Sequence, residues 1–212
     1  MSHPESLREI ARFRDHIIEG GVLDAEGTHH EFVSGMHGQK LDFDIIKNED
    51  PLYQEWITAT ANFIRRELPL PVAIIGVANG TNRVALDVAR RFNGDVLGLV
   101  SEKDQQNSKI LRLSSAAERV FGLMRPKFVV VKEDVGTTGS NSVQVATQAL
   151  EAGAQHVLVL ATWKRRAQLE RLDEAGIDYA AMIDEPLTTY TPEECTAEGF
   201  CADGWKFIPR TT

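Results

Sequence analysis

From Val72 onward the chain alternates between short apolar runs and amphipathic stretches, and few architectures accept that pattern. "VAIIGV", "DVLGLV", "KFVVV", "HVLVLAT" and "DYAAMI" read as strands. "TNRVALDVARRF", "NSVQVATQALEAG" and "RRAQLERLDEAG" read as helices between them. Strands apolar on both faces, joined by helices, imply a parallel sheet covered on both sides. The expected fold is therefore α/β, a central parallel sheet flanked by helices. Ligands of such sheets bind outside the carboxyl ends of the strands.

Three segments stand outside the alternation. Before Val72, Leu7, Ile10, Ala11, Arg14 and Ile17–Ile18 recur at helical spacing and "EGG" ends that helix. The stretch 21–45 reads as short strands with Gly-containing turns, and Pro51 opens a second helix. Residues 101–126 form a polar insertion whose second half, "SSAAERVFGLM", is helical, with Ser115 and Glu118 at capping-box spacing. Residues 186–212 form a tail of little periodicity. The chain is expected to be a single domain over 1–212, with 1–50 and 186–212 as a small cap and tail at the ligand edge of the sheet.

Charge narrows the function. A net charge of -8 and a pI near 5.3 argue against a nucleic-acid partner, which needs a basic face. No apolar run is long enough to span a bilayer, so no membrane is expected. The charged amphipathic start has no apolar signal core, which points to the cytoplasm.

The stretch "FVVVKEDVGTTGSNS", 128–142, carries the chemistry. A strand delivers Glu133 and Asp134 to the ligand crevice. A small hydroxyl-rich turn follows, Gly136, Thr137, Thr138, Gly139, Ser140 and Asn141, and opens a helix whose free N–H groups make an anion site. The carboxylates want hydroxyls or a metal, and the turn wants a phosphate. A ribose 5-phosphate satisfies both. The same residues could also form a solvated acidic pair before a capped helix.

The segment resembles the phosphoribosyl pyrophosphate (PRPP) signature of the type I phosphoribosyltransferases: an apolar strand, two acids, then TTG and a small hydroxyl residue. It departs at Lys132 and Gly136, which replace apolar residues, and at Asn141, where Ser or Thr is usual and Ser142 comes one place late. Other stretches resemble the orotate phosphoribosyltransferase branch. "IIGVANGTNRVALDVA" is similar to the pyrophosphate loop, with Ala78, Asn79, Gly80, Thr81 and Asn82 offering N–H groups and amides. "EFVSGMHGQKLDFD" is similar to the base-pocket segment, making Phe32, Ser34 and Lys40 base-binding candidates. "ATWKRRAQ" is similar to the place where the branch sets a cation by the acceptor carboxylate, Arg165 in preference to Lys164. The resemblance covers roughly 30–185.

The resemblance implies transfer of a 5-phosphoribosyl group from PRPP to a nitrogenous base, orotate or a related pyrimidine, with release of pyrophosphate. It implies Mg²⁺, held through PRPP and by Asp134, and a homodimer. Glu133, Asp134, Lys103 and Lys109 would be catalytic. The branch's Arg-Lys-Glu-x-Lys run is absent; "VSEKDQQNSK" stands in its place, with Ser101 and Glu102 where cations are usual. That favours a second reading, a catalytically silent PRPP-binding regulator of the same fold.

His29, His30 and His37 lie close in sequence, but the expected setting is a solvent-facing hairpin. Cys195 and Cys201, in "CTAEGFC", have loose spacing for zinc and are expected as free thiols in a folded-back tail. Trp56, Trp163 and Trp205 are expected to pack.

Overall fold

The structure is a computed structural model of the 212-residue chain. It describes residues 4–23, 27–32, 35–78, 80–107, 109–124, 127–166 and 168–209. In chain order the elements are α1 (Pro4–Glu19), β1 (Thr28–Glu31), β2 (His37–Gly38), α2 (Phe43–Asn48), α3 (Asp50–Glu67), β3 (Ala73–Gly76), α4 (Asn82–Arg90), β4 (Leu97–Lys103), β5 (Leu111–Leu113), α5 (Ser115–Met124), β6 (Phe128–Gly136), α6 (Ser140–Glu151), β7 (His156–Lys164), α7 (Glu170–Ala175), β8 (Asp178–Ile183), β9 (Thr189–Tyr190), α8 (Pro192–Glu198) and β10 (Lys206–Ile208). Two compact units emerge, 1–13 with 54–185 and 14–53 with 186–212, so the first half of α1 groups with the larger unit. Among the described residues no helix is long and apolar enough to cross a membrane.

The larger unit is a six-stranded sheet in the order β5-β4-β3-β6-β7-β8. All neighbours are parallel except β4 and β5, which form an antiparallel hairpin. β6 lies inside the sheet and alternates its side chains between faces. Val129 and Val131, both fully buried, pack with Val145, Ala146 and Ala149 of α6. Burial of each such valine stabilises the fold by about 1.5–3 kcal/mol. The odd residue out is Lys132, fully buried on the other face with its Nζ 5.7 Å from the Trp56 ring centroid of α3.

The polar insertion becomes the β4–β5 hairpin followed by α5. Its tight end is held by Asp104, which accepts from the Gln106 and Asn107 N–H groups and pairs with Arg112 at 2.7 Å. The capping residue of α5 is Ser114 rather than Ser115: its Oγ accepts from Ala117 N at 3.3 Å, and its carbonyl accepts from Glu118 N. The outer edge of β5 meets side-chain amides instead of a strand. Leu111 N donates to Gln144 Oε1 and Leu113 N to Gln148 Oε1, each at 2.9 Å, and Gln148 Nε2 donates to the Leu111 carbonyl at 2.7 Å. Two glutamines one turn apart on α6 thus blunt a sheet edge. Gln148→Ala should cost about 1–2 kcal/mol, because it strips two partners from half-buried backbone groups. A urea midpoint unchanged from the parent would contradict that role.

The smaller unit holds a four-stranded sheet in the order β10-β1-β2-β9. Helix α2 falls where the sequence suggests strand; Asp42 caps it by accepting from Asp44 N at 3.1 Å. The histidines depart from expectation as well. His29 is fully buried and His37 is 8% exposed, so this hairpin does not turn them to solvent. In the register of β1 on β2, Glu31 lies opposite His37, which puts His29 and His37 on one face. On that face α8 and the turn after it cover them.

Candidate functional site

Strand β6 runs further than its apolar residues do. Glu133 still pairs with Ala161 of β7, and Gly136 with Lys164, whereas the pairing with β3 stops at Gly76 and Lys132. The acid pair therefore lies on strand backbone beyond the end of β3, where loop 77–81 crosses. That loop is sewn to β6: Val77 N and the Thr81 hydroxyl both donate to the Lys132 carbonyl. Gly80 lies directly against Asp134; a Cβ there would come within 2.6 Å of Asp134 Oδ2. Asp134 Oδ1 accepts from the Val135 N–H at 2.7 Å, which fixes the carboxylate's rotation.

After Gly136 the chain turns on an apolar floor. Gly139 has φ 80°, a left-handed conformation, and a Cβ there would lie 2.7 Å from Leu172. The Thr138 carbonyl accepts from Arg171 N at 3.0 Å, and the Thr138 and Ser140 hydroxyls bond each other at 2.8 Å. Gly139 is the N-cap of α6 and has no side chain to cap it, so the N–H groups of the first turn face outward. A pocket of about 410 Å³, counting the part open to solvent, is lined by Glu133, Gly136 and every residue from Thr137 to Ser142. Glu133, Gly136, Thr137, Thr138, Gly139, Ser140 and Asn141 are thus brought together, with Asp134 adjacent on the strand. An uncapped helix start with hydroxyls and main-chain amides binds a phosphate-sized anion.

Sequence reasoning missed four supporting residues. Ser142 is buried, and its Oγ donates to Glu133 Oε2. The hydroxyl that came one place late in the motif therefore orients the acid. Lys132 sends its Nζ to the Glu133 carbonyl at 2.6 Å, to Thr162 Oγ1 at 2.5 Å and to the Leu160 carbonyl at 3.4 Å. Thr162 also accepts from Trp56 Nε1 at 2.8 Å. Ser101, in the place of an expected cation, is fully buried; its Oγ accepts from Ala78 N at 2.9 Å and donates to the Gly76 carbonyl at 2.8 Å. Lys132, Ser142 and Ser101 each stood out in the sequence as departures from the motif, but their partners did not, and nothing marked Thr162.

The expected donors of loop 77–81 need correcting. The Ala78 N–H is taken by Ser101, and the Asn82 amide bonds both backbone groups of Ser101. Thr81 is buried, with its N–H on the Val77 carbonyl at 3.0 Å. Asn79 lies outside the described residues. Gly80 is left as the residue of this loop that meets the acid pair.

The other candidates lie elsewhere. Lys103 ends β4 and Lys109 lies in the hairpin turn; both are exposed and neither lines the pocket. The helix expected over 165–176 starts only at Glu170, and Arg165 N donates to the Gly136 carbonyl at 2.9 Å. Arg165 is 6% exposed. Burial, then the charge of Arg166, lowers its pKa to about 10. In the smaller unit, Phe32 N donates to the Met36 carbonyl and the Phe32 carbonyl accepts from Gly35 N, each at 2.9 Å, and exposed Lys40 pairs with Asp42 at 2.6 Å. Ser34 lies outside the described residues. Trp163 packs as expected, its Nε1 on the Glu185 carbonyl at 2.7 Å.

Electrostatics at the strand end are unusual. Burial, with the charge of Asp134 next, pushes Glu133 up to about 8, against the Ser142 bond that favours the anion. Burial pulls Lys132 down to about 7, against the attraction of Asp134 and Glu133. The two act on stability in opposite directions. From the ordinary glutamate range near 4.5 up to about 8, the folded chain holds a proton that the unfolded one releases, so Glu133 lowers stability as pH rises. From about 7 up to 10.5 the unfolded chain holds the extra proton, so Lys132 raises stability as pH rises. Lys132→Met should flatten the limb above pH 8 while leaving the fall from pH 5 to 7 in place. Urea midpoints at pH 5, 7.5 and 9.5 measure this; parallel profiles for parent and variant would refute it.

No family model matches the sequence, and no curated protein matches it. Solved structures do match. Orotate phosphoribosyltransferase from Aeropyrum pernix superposes with a TM-score of 0.63 at 18% identity, over 80% of this chain and 91% of that one. The Mycobacterium tuberculosis H37Rv orotate phosphoribosyltransferase, in complex with inorganic phosphate, gives 0.58 at 13% identity, over 83% and 95%. Adenine phosphoribosyltransferase from Saccharomyces cerevisiae gives 0.60 at 13% identity, over 82% and 99%. With its mostly parallel six-stranded sheet and the acid pair and turn at the end of β6, this chain has the type I phosphoribosyltransferase fold.

Proposed function

We propose that this chain binds PRPP and transfers its 5-phosphoribosyl group to a nitrogenous base, releasing pyrophosphate, with orotate or a related pyrimidine as the acceptor. The observation that carries this reading is the junction of β6 and α6. Glu133, held by Ser142, lines a pocket that also takes in an uncapped helix start, and Asp134, held by the Val135 N–H, is the next residue on the strand, against Gly80. The α6 amides and the Thr137, Thr138 and Ser140 hydroxyls take the 5-phosphate. Glu133 and Asp134 take the ribose diol, Glu133 able to donate and Asp134 to accept. As the C1–O bond to pyrophosphate breaks and the base nitrogen bonds C1, positive charge builds on the sugar beside Asp134 and is stabilised there. Positioning of the two substrates supplies much of the remaining rate.

The Asp134 carboxylate, an oxygen donor fixed by a main-chain N–H, fits Mg²⁺, which would neutralise charge on the pyrophosphate. A homodimer and a cytoplasmic location belong to the same reading.

The second reading, a PRPP-binding regulator without turnover, draws on the hairpin. Glutamines of α6 hold it, and its two lysines lie outside the pocket, where an efficient enzyme needs a cation on the leaving group. Calorimetry with PRPP and Mg²⁺, followed by pyrophosphate release with orotate, uracil and adenine, separates the cases. Binding with pyrimidine-dependent release supports the transferase. Binding with no release from any base supports the regulator. No binding of PRPP removes both.

A further inference from the structure

We infer that the smaller unit carries a structural zinc site formed by His29, His37, Cys195 and Cys201. These residues come as two pairs from two distant stretches of the sequence, so the spacing within either stretch does not announce the set. The sheet order β10-β1-β2-β9 gathers them. His29 sits in the middle of β1, and His37 begins β2 on the same face. Cys195 lies on α8, and Cys201 follows that helix on the way to β10. The position of Cys195 is fixed by a capping box, in which Thr191 and Glu194 satisfy each other's backbone N–H groups and Pro192 starts the helix.

The distances suit one small cation. His29 Nε2 is 3.2 Å from Cys201 Sγ, His37 Nδ1 is 3.6 Å from it, and Cys195 Sγ is 3.0 Å from it. All four ligand atoms lie within 4.8 Å of one another. A tetrahedron with Zn–N of about 2.0 Å and Zn–S of about 2.3 Å has N–S edges of about 3.5 Å and an S–S edge of about 3.8 Å, so the measured His–Cys edges already fit within about 0.3 Å and the two sulfurs must part by about 0.8 Å. Two imidazoles and two thiols form the set that selects zinc among common divalent ions.

Burial and surroundings agree. His29 and Cys195 are fully buried and His37 nearly so. The Phe207 ring lies 5.3 Å from His29 and stacks on His37 at 4.8 Å, while Phe200 lies 5.8 Å from His29. These rings pack on the two histidines, while Cys201 is partly exposed. The Cys201 N–H donates to Cys195 Sγ at 3.2 Å, the kind of outer bond that steadies a metal-bound thiolate. A Cys195–Cys201 disulfide would account for two of the four groups and leave two imidazoles packed against sulfur. The unit has strands of only two to four residues. A unit that small gains most from a metal staple.

The test uses the whole wild-type chain, with any affinity tag removed and thiols kept reduced by a phosphine. Elemental analysis should find about one zinc per chain. After removal with a chelator, titration with Co²⁺ should give the intense visible bands and thiolate charge-transfer bands of a tetrahedral N₂S₂ centre. These should saturate near one equivalent and vanish on addition of Zn²⁺. Cys195→Ser and His37→Ala should each weaken Co²⁺ binding by about 100-fold, whereas His30→Ala should not. A reduced wild-type chain that takes up neither Zn²⁺ nor Co²⁺ stoichiometrically overturns the inference, whether or not the variants fold. So does an octahedral cobalt spectrum, or unchanged binding in Cys195→Ser.

Discussion

Asp134→Asn should lower PRPP-dependent pyrophosphate release by about 10²–10³-fold in kcat/KM while leaving the fold intact. Asparagine keeps an acceptor for the Val135 N–H, now at 2.7 Å from Asp134 Oδ1, and adds no volume against Gly80. What it removes is the negative charge beside a sugar that turns cationic as pyrophosphate leaves. Loss of charge felt mainly in the transition state should appear in kcat more than in PRPP affinity. The measurements are kcat, KM for PRPP, and the thermal midpoint of parent and variant. A variant within twofold of the parent in kcat would remove Asp134 from the chemistry and, with it, the proposed orientation of the ribose.

Gly76→Ala should cost about 3 kcal/mol or more and collapse the yield of folded chain. A Cβ at that position would lie 2.4 Å from Asn82 Cα and 2.5 Å from both Asn82 N and the Thr81 carbonyl oxygen. All three are backbone atoms, so no side chain can swing aside. The strand end, loop 77–81 and the start of α4 are further pinned by Ser101 and by the Lys132 carbonyl, which closes off relaxation. Chemical denaturation gives the stability directly; a loss below 1 kcal/mol would mean that the crossing of β3 and α4 is looser than described. By contrast, Gly122 has nothing within 4 Å of its Cβ direction, so Gly122→Ala is the matched control.

The order of the core was legible because each strand of the sheet's interior is a solid apolar run and each covering helix keeps its own period. Boundaries were less so. Strand β6 continues through Glu133 and Asp134 because β7 runs alongside and still offers pairing partners, a fact that hydropathy does not carry. The stretch 165–169 has helical composition, yet the helix begins only at Glu170 and the Arg165 N–H goes to the Gly136 carbonyl. Lys132 looked like a flaw in a pattern. In the fold it meets the Thr162 hydroxyl and two carbonyls inside the core. Ser101 looked like a missing cation and instead ties down loop 77–81.

Reading along the chain was enough for the alternating α/β order, the placing of two acids before a glycine- and hydroxyl-rich turn, and the acidic character of the chain. Those are local properties, set by side-chain period and by residues adjacent along the backbone. Only the tertiary structure decided which polar groups face a ligand and which bind one another. It also brought two histidines and two cysteines, more than 150 residues apart in sequence, onto a single face. Strand order and register set such meetings, and both are settled by packing across the whole chain.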